Sequence, residues 1–166
     1  MIETSELENI IHKYHIIKEF TSLPESALGF YFYDGDYSMI LISESLKNNE
    51  RLYRTILAEE IGHFMTTVGD ITPRRYLRYS EQIEIDKKEL VALRWAVDFL
   101  LPTQMVLEVL RDRKACTVDE LVDYFYVTKD FLMKKFEFMA KEKPIWKIDG
   151  KRCLYLYKLP SVFIYE

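Results

Sequence analysis

The sequence predicts an α+β protein, with a compact core over residues 1–113 and a small helical and β-hairpin extension over residues 114–166. Apolar residues recur at helical spacing in several stretches, and two short runs rich in aromatic and branched residues are separated by turn formers. The pattern changes after Pro102, where shorter elements follow. The chain has 166 residues, of which 49% are apolar and 30% charged, a balance typical of folded globular proteins rather than disordered chains.

Charge and cysteine content limit the classes of function. The net charge is −4, but residues 127–158 carry nine Lys or Arg against four Asp or Glu, a local balance of +5 that leaves −9 for the rest. Cys116 and Cys153 are too far apart for a disulfide framework or a metal knuckle, which indicates free thiols in a reducing compartment. The start of the chain is acidic where a signal peptide would be basic, and we expect no apolar run of membrane length. The sequence therefore predicts a cytoplasmic protein without a membrane partner.

The first third of the chain predicts a helix and a hairpin. Apolar spacing predicts an amphipathic helix over residues 5–20, with His12 and His15 on its solvated flank rather than at a metal. Residues 28–33 and 37–42 read as two strands, and the Asp-Gly-Asp segment between them predicts the turn of a β-hairpin.

The helix predicted over residues 48–67 places two acids and a histidine among apolar positions. At about 100° per residue, Glu59, Glu60 and His63 fall within roughly a quarter-turn arc. Buried acids and imidazoles are costly without a partner, and a divalent cation would serve as one. The spacing is that of H-E-x-x-H, in which the first and last residues bind zinc and the acid between them is the general base. Here Glu59 stands in place of the first histidine.

The helix predicted over residues 80–101 carries a further acid on its apolar stripe. Glu89 lies four residues before Leu93, so either it joins the metal held by His63, or it pairs with Lys88 or Arg94, or the stripe rotates it to the surface.

Two blocks resemble the ImmA/IrrE family of metallo-endopeptidases. Residues 57–64, Leu-Ala-Glu-Glu-Ile-Gly-His-Phe, are similar to the family's zincin helix in its E-E-x-G-H variant. Residues 88–96, followed by Leu-Leu-Pro at 100–102, are similar to the helix that supplies the third metal ligand. The resemblance covers residues 28–102 well and the remainder loosely.

The resemblance implies a zincin-like core and an intracellular zinc metallo-endopeptidase that cleaves or inactivates a helix-turn-helix repressor of a prophage or mobile element. It implies Glu59, His63 and Glu89 as metal ligands, with Asp86 as the substitute for Glu89, and Glu60 as general base. Zinc is the expected metal and manganese the other candidate. The strand beside the helix would present an edge for an extended peptide, and the basic residues 74–79 would cross the rim of the cleft. The alternative is a catalytically silent regulator of the same fold that binds protein or DNA.

The extension predicts a helix-turn-helix followed by a wing. Thr117 and Glu120 form a capping-box pattern, and Asp149-Gly150 predicts the turn of a second hairpin. The local charge would suit DNA binding through residues 117–158. We favour the alternative, in which the extension packs on the core or grips a protein, and in which Lys129, Lys134 and Lys135 form a solvated face.

Overall fold

The computed structural model of the protein describes residues 1–66 and 79–165, and gives the backbone alone for residues 79–86. The chain is α+β, as predicted. It divides into two compact units, Glu3–Ala96 and the residues from Val97 onward together with Met1–Ile2. This division falls inside a helix rather than in a linker, so the predicted domain boundary after residue 113 stays a prediction.

The first unit combines helices with a mixed three-stranded sheet. Its elements are α1 (Thr4–Lys13), β1 (Ile17–Thr21), β2 (Gly29–Tyr33), β3 (Ser38–Ser43), a 3-10 turn (Glu44–Leu46), α2 (Glu50–Thr66) and α3 (Tyr79–Leu100), whose end lies in the second unit. The strand order is β1-β3-β2, with β3 parallel to β1 and antiparallel to β2. The predicted hairpin is confirmed, and among the described residues β2 forms one edge of the sheet.

The predicted first helix is wrong beyond residue 13. Helix α1 ends at Lys13, and His15 adopts the left-handed conformation with φ 54°. The N–H of His15 donates to the carbonyl of His12, and the N–H of Ile16 donates to that of Ile11, the pattern of a Schellman motif. Ile11 and Ile16, which are both buried, form the apolar contact that usually accompanies this motif. The residues that follow pair with β3 as β1, a non-local contact that overrides the helical spacing.

Helix α2 lies against the sheet and α1. Its inward face buries Leu57, Ala58 and Ile61 completely, and it contacts β2 and β3. Apolar residues at spacings of three and four form this face, as the sequence predicts. The helix therefore holds its acids beside the edge strand β2.

The second unit contains short helices and a second, antiparallel sheet. Its elements are α4 (Thr103–Arg111), α5 (Val118–Phe125), α6 (Lys129–Glu142), β4 (Ile145–Lys147), β5 (Cys153–Lys158) and β6 (Ser161–Tyr165), with strand order β4-β5-β6. The capping box of Thr117 and Glu120 is confirmed, and Tyr126, left-handed with φ 53°, separates α5 from α6. The second hairpin is confirmed as β4 and β5, whereas the sequence did not predict β6.

Lys135 corrects the prediction of a solvated lysine face on α6. Its side chain is 1% exposed, and its Nζ donates to Asp98 Oδ1 at 2.5 Å and to Thr103 Oγ1 at 2.8 Å. A buried ammonium needs such partners, because desolvation of an unpaired charge costs several kcal/mol. Lys135 therefore ties α6 to the segment where α3 ends and α4 begins.

One stretch is apolar enough to meet a membrane-span criterion. By length and composition alone, Lys87–Arg111 would be able to cross a membrane, with a mean hydropathy of 1.4 over its most apolar window. The expectation that no run reaches membrane length is wrong in this respect. A single such stretch is weak support for a membrane span, because core helices of soluble proteins also pass the test, and here Pro102 separates α3 from α4 within it.

Candidate functional site

The acids and the histidine of α2 lie near the end of that helix. Glu60 is 9% exposed and His63 is 8% exposed, while Glu59 is partly exposed. Charged and imidazole groups are rarely this buried without compensation. The arc predicted from the sequence therefore faces the interior of the first unit.

Glu89 reaches this cluster from α3. Its Oε2 lies 3.2 Å from Nε2 of His63, and its side chain is 43% exposed, less buried than the apolar stripe suggested. Glu60, His63 and Glu89 line one cavity of about 130 Å³ together with Gly29, Phe30 and Tyr31. Glu59 is not among the lining residues. The side chain of Asp86 and residues 74–78 lie outside the described part of the chain.

Gly62 explains how Glu89 of α3 comes so close to His63 of α2. A Cβ at Gly62 would overlap the carbonyl oxygen of Ala92 and lie 3.0 Å from its carbonyl carbon. Only a glycine allows α3 to approach α2 at this point. Glu89 stands one helical turn before Ala92, so the same contact directs it toward His63. The neighbour that requires this glycine is therefore the backbone of α3.

Gly29 and Tyr31 were not identified from the sequence. A Cβ at Gly29 would lie 2.6 Å from Oε1 of Glu60 and 2.6 Å from Cγ2 of Ile56. The backbone N–H of Tyr31 lies close enough to the Glu60 carboxylate to lower its pKa. Strand β2 therefore accommodates the side chain of Glu60 in two ways. Gly29 has no side chain to collide with it, and the main-chain N–H of Tyr31 lies beside its carboxylate. The sequence feature that would have indicated this role is Gly29 at the start of β2, because the other four residues of that strand are aromatic.

The cluster contains more negative than positive charge. Burial raises the pKa of Glu60 to about 7, helped by Glu59 and Glu89 and opposed by His63 and the Tyr31 N–H. Burial likewise raises the pKa of Glu59 to about 7, against the attraction of His63. Burial alone would lower the pKa of His63, but the hydrogen bond with Glu89 and the three carboxylates raise it overall. Such perturbed groups around a cavity are typical of functional sites.

Comparison with known proteins identifies the family. A family model described as peptidase M78, IrrE N-terminal-like domain, matches residues 13–140, more than half of the 166-residue chain. The chain belongs to this family. None of the curated proteins and none of the solved structures matches it significantly. The IrrE-like match begins in the last residue of α1 and ends in α6, so it includes the whole cluster and excludes the sheet β4-β5-β6.

Membership in the IrrE-like family implies a metal cofactor, typically zinc. Glu59, His63 and Glu89 provide oxygen and imidazole donors, which are ligand types that zinc takes in proteins. The donor types therefore fit a divalent cation. Within the described ranges, however, no three His, Cys, Asp or Glu side chains are grouped closely enough to bind a metal ion together. His63 and Glu89 contact each other directly, and Nδ1 of His63 has no hydrogen-bond partner among the described residues. The roles of these residues thus stay predictions.

Proposed function

We propose that this protein is a metal-dependent endopeptidase of the IrrE-like family. The observation that carries the proposal is the single cavity shared by Glu60, His63 and Glu89 on one side and the edge strand β2 on the other. Acid and imidazole groups of this kind perform proton transfer and metal binding, and a strand edge binds an extended peptide. The family match supports the peptidase class.

In this proposal, Glu59, His63 and Glu89 hold a divalent cation, zinc first and manganese as the other candidate. When bound, the cation would acidify water and polarise a peptide carbonyl. Glu60 accepts and returns the proton at its carboxylate, and its pKa of about 7 is close to the value that favours a general base at neutral pH. The N–H of Tyr31 keeps that carboxylate at the strand edge. Gly29 leaves room for it.

The proposed substrate is a helix-turn-helix repressor of a prophage or mobile element, cleaved or inactivated in the cytoplasm. The resemblance of residues 57–64 and 88–96 to the ImmA/IrrE family supports this choice. Cys116, which is exposed, and Cys153 are free thiols, as expected in a reducing compartment.

We also propose that α5, α6 and the β4-β5 hairpin act as a helix-turn-helix with a wing that binds duplex DNA weakly or not at all. Lys129 pairs with Asp119, Lys134 pairs with Glu137, and Lys135 is buried. These three lysines lie in or near the first turns of α6, the position that a recognition helix presents to the major groove. Lys135 cannot reach a phosphate. Salt-sensitive, sub-micromolar duplex binding in a mobility-shift titration would overturn this proposal.

The test of the endopeptidase proposal compares variants of Glu60 and His63 with repressor from the neighbouring gene as substrate. Glu60→Gln keeps the shape of the side chain but removes the base, so cleavage should fall by on the order of 10² to 10⁴-fold while metal binding persists. His63→Ala should lose both. Glu59→His, which restores the commoner motif, should give equal or higher activity. Assays with added zinc and manganese ensure metallation, and undiminished cleavage by fully metallated Glu60→Gln would disprove the mechanism.

The second candidate is a catalytically silent regulator of the same fold. Glu59 in the first motif position favours it, because two carboxylates and one imidazole would neutralise a divalent cation and weaken it as a Lewis acid. Metal stoichiometry separates the candidates. A protein that binds no zinc or manganese at micromolar concentrations, yet binds the repressor, would establish the regulator.

A further inference from the structure

The sheet of the second unit has one covered and one uncovered face. The covered face includes Leu154 and Leu156, which are buried, and Trp146, whose Nε1 donates to the carbonyl of Met139 on α6. Side chains alternate between the faces of a strand, so the intervening residues point away from α6. An antiparallel sheet of this kind normally presents polar residues to solvent.

The uncovered face is aromatic instead. Its residues, here called the outer sheet face, include Ile145, Lys147, Cys153, Tyr155, Tyr157, Phe163 and Tyr165. Ile145 pairs with Tyr155, and Tyr155 pairs with Phe163, so these three form a row across all the strands. The ring of Tyr155 lies 5.2 Å from that of Tyr165 and 6.0 Å from that of Tyr157. A contiguous exposed aromatic surface of this kind marks a binding site rather than ordinary surface.

The charge around this face is one-sided. The strand sequences of β4, β5 and β6 contain two lysines and no aspartate or glutamate. Lys158 Nζ lies 5.8 Å from the ring centre of Tyr157, which belongs to this face. By contrast, the exposed tyrosines of the β2-β3 hairpin, Tyr33 and Tyr37, adjoin aspartates on the connecting turn. The outer sheet face therefore suits an anionic partner with flat apolar groups.

We propose that the outer sheet face binds single-stranded nucleic acid, with bases stacked on Tyr157, Phe163 and Tyr165 and phosphates near the lysines. Unpaired bases stack on exposed aromatic side chains regardless of sequence, and lysines follow the backbone. A second copy of the chain fits less well, because it would set lysines against lysines with no acid on the strands to pair them. A protein partner is the other outcome that the test distinguishes, because aromatic side chains are enriched in protein interfaces although lysine is depleted there.

This site differs from the proposed peptidase centre and from a helix-turn-helix surface. It lies beyond residue 140, where the family match ends, and it does not use α6 as a recognition helix. The full chain is the proper material for the test, because both units are present in it.

The test measures the anisotropy of labelled oligothymidine and oligouridine of about 16 nucleotides, titrated with the full chain at several salt concentrations. Binding should appear at low salt, and Tyr157→Ala combined with Tyr165→Ala should weaken it by on the order of 10 to 100-fold. Tyr157→Phe combined with Tyr165→Phe keeps the rings and should retain it. Lys147→Gln and Lys158→Gln should each reduce the salt slope by roughly 0.7.

The matched control is Tyr33→Ala combined with Tyr37→Ala, which removes tyrosines of similar exposure, 46% and 43% against 55% for both Tyr157 and Tyr165. Circular dichroism establishes that each variant is folded. Equal loss in the control, absence of binding by folded wild type, or duplex binding as tight as single-strand binding would overturn the proposal. Two further results would also overturn the proposal, if the Tyr157→Ala and Tyr165→Ala changes abolish them. One is a dimer whose amount depends on protein concentration, and the other is binding of the repressor without binding of the oligonucleotides.

Discussion

Helix α2 carries two polar clusters that differ in charge balance. Near its start, Lys18 Nζ donates to both oxygens of Glu8 at 2.6 Å and to the hydroxyl of Tyr53 at 2.8 Å. That hydroxyl donates to Glu8 Oε1 at 2.5 Å, and burial and Glu8 raise the pKa of Tyr53 well above its usual range. One cation thus meets one anion, and the groups satisfy one another.

Near the end of α2, three carboxylates surround one imidazole. Burial holds the pKa values of Glu59 and Glu60 at about 7, and Nδ1 of His63 has no partner among the described residues. The first cluster is complete as a structural link between α1, β1 and α2, whereas the second combines carboxyl groups whose pKa values are raised by burial with an imidazole nitrogen that has no partner among the described residues. This difference favours the second cluster as the candidate functional site.

The largest effect is expected from Gly62→Ala, which would disrupt the second cluster. The added Cβ would overlap the carbonyl of Ala92, so we expect the free energy of unfolding to fall by about 2 to 3 kcal/mol. Helix propensity alone would favour alanine by about 1 kcal/mol. Urea unfolding measures the change, and Gly150→Ala is the control because its Cβ would meet nothing within 4 Å. Stabilisation by Gly62→Ala would show that the close approach of α3 is not required.

A second prediction uses Glu60→Gln in the metal-free protein. The pKa of Glu60 is raised to about 7 from 4.5, so the folded state binds a proton that the unfolded state has lost, and stability falls as pH rises from about 4.5 to 7. Removing the acid should raise the free energy of unfolding by roughly 2 kcal/mol at pH 8 and by much less at pH 5. Thermal or urea unfolding at both pH values measures it. A gain that is equal at both pH values would show that burial does not raise the pKa of Glu60.

The smallest of the three effects is expected at the balanced cluster. Lys18→Met leaves the partly buried Glu8 without its cation, and the free energy of unfolding should fall by roughly 1 to 2 kcal/mol at pH 7. The exposed pair of Lys47 and Glu44 supplies the control, since Lys47→Met should change stability by less than about 0.5 kcal/mol. Equal effects in the two variants would remove the distinction between a buried link and a surface pair.

Periodicity and motif spacing predicted the elements that carry the site. Glu59, Glu60 and His63 share an arc because the helical period fixes their angles, and Glu89 follows from its place on the next helix. Strand β1 was missed because its pairing with β3 is non-local and the turn at His15 uses a residue other than glycine. The burial of Lys135 was missed because it depends on Asp98 and Thr103 from another element.

The spacing of residues in the sequence also does not predict how closely two helices, or a helix and a strand, approach each other. Gly29 touches Glu60 across 31 residues of sequence, and Gly62 touches Ala92 across 30, so their purpose appears only when α2, α3 and β2 are assembled. A glycine in a helix or strand indicates close approach, but not by which neighbour.

The group of Tyr31 that lies beside the Glu60 carboxylate is the main-chain N–H, so its presence is independent of which side chain stands at position 31. Substitutions there would alter packing against Ser38 and Phe64 while leaving the donor in place. Proline alone, lacking the N–H, would delete it. A change of side chain at position 31 would therefore reshape the wall of the cavity while the main-chain N–H beside the proposed base stays in place.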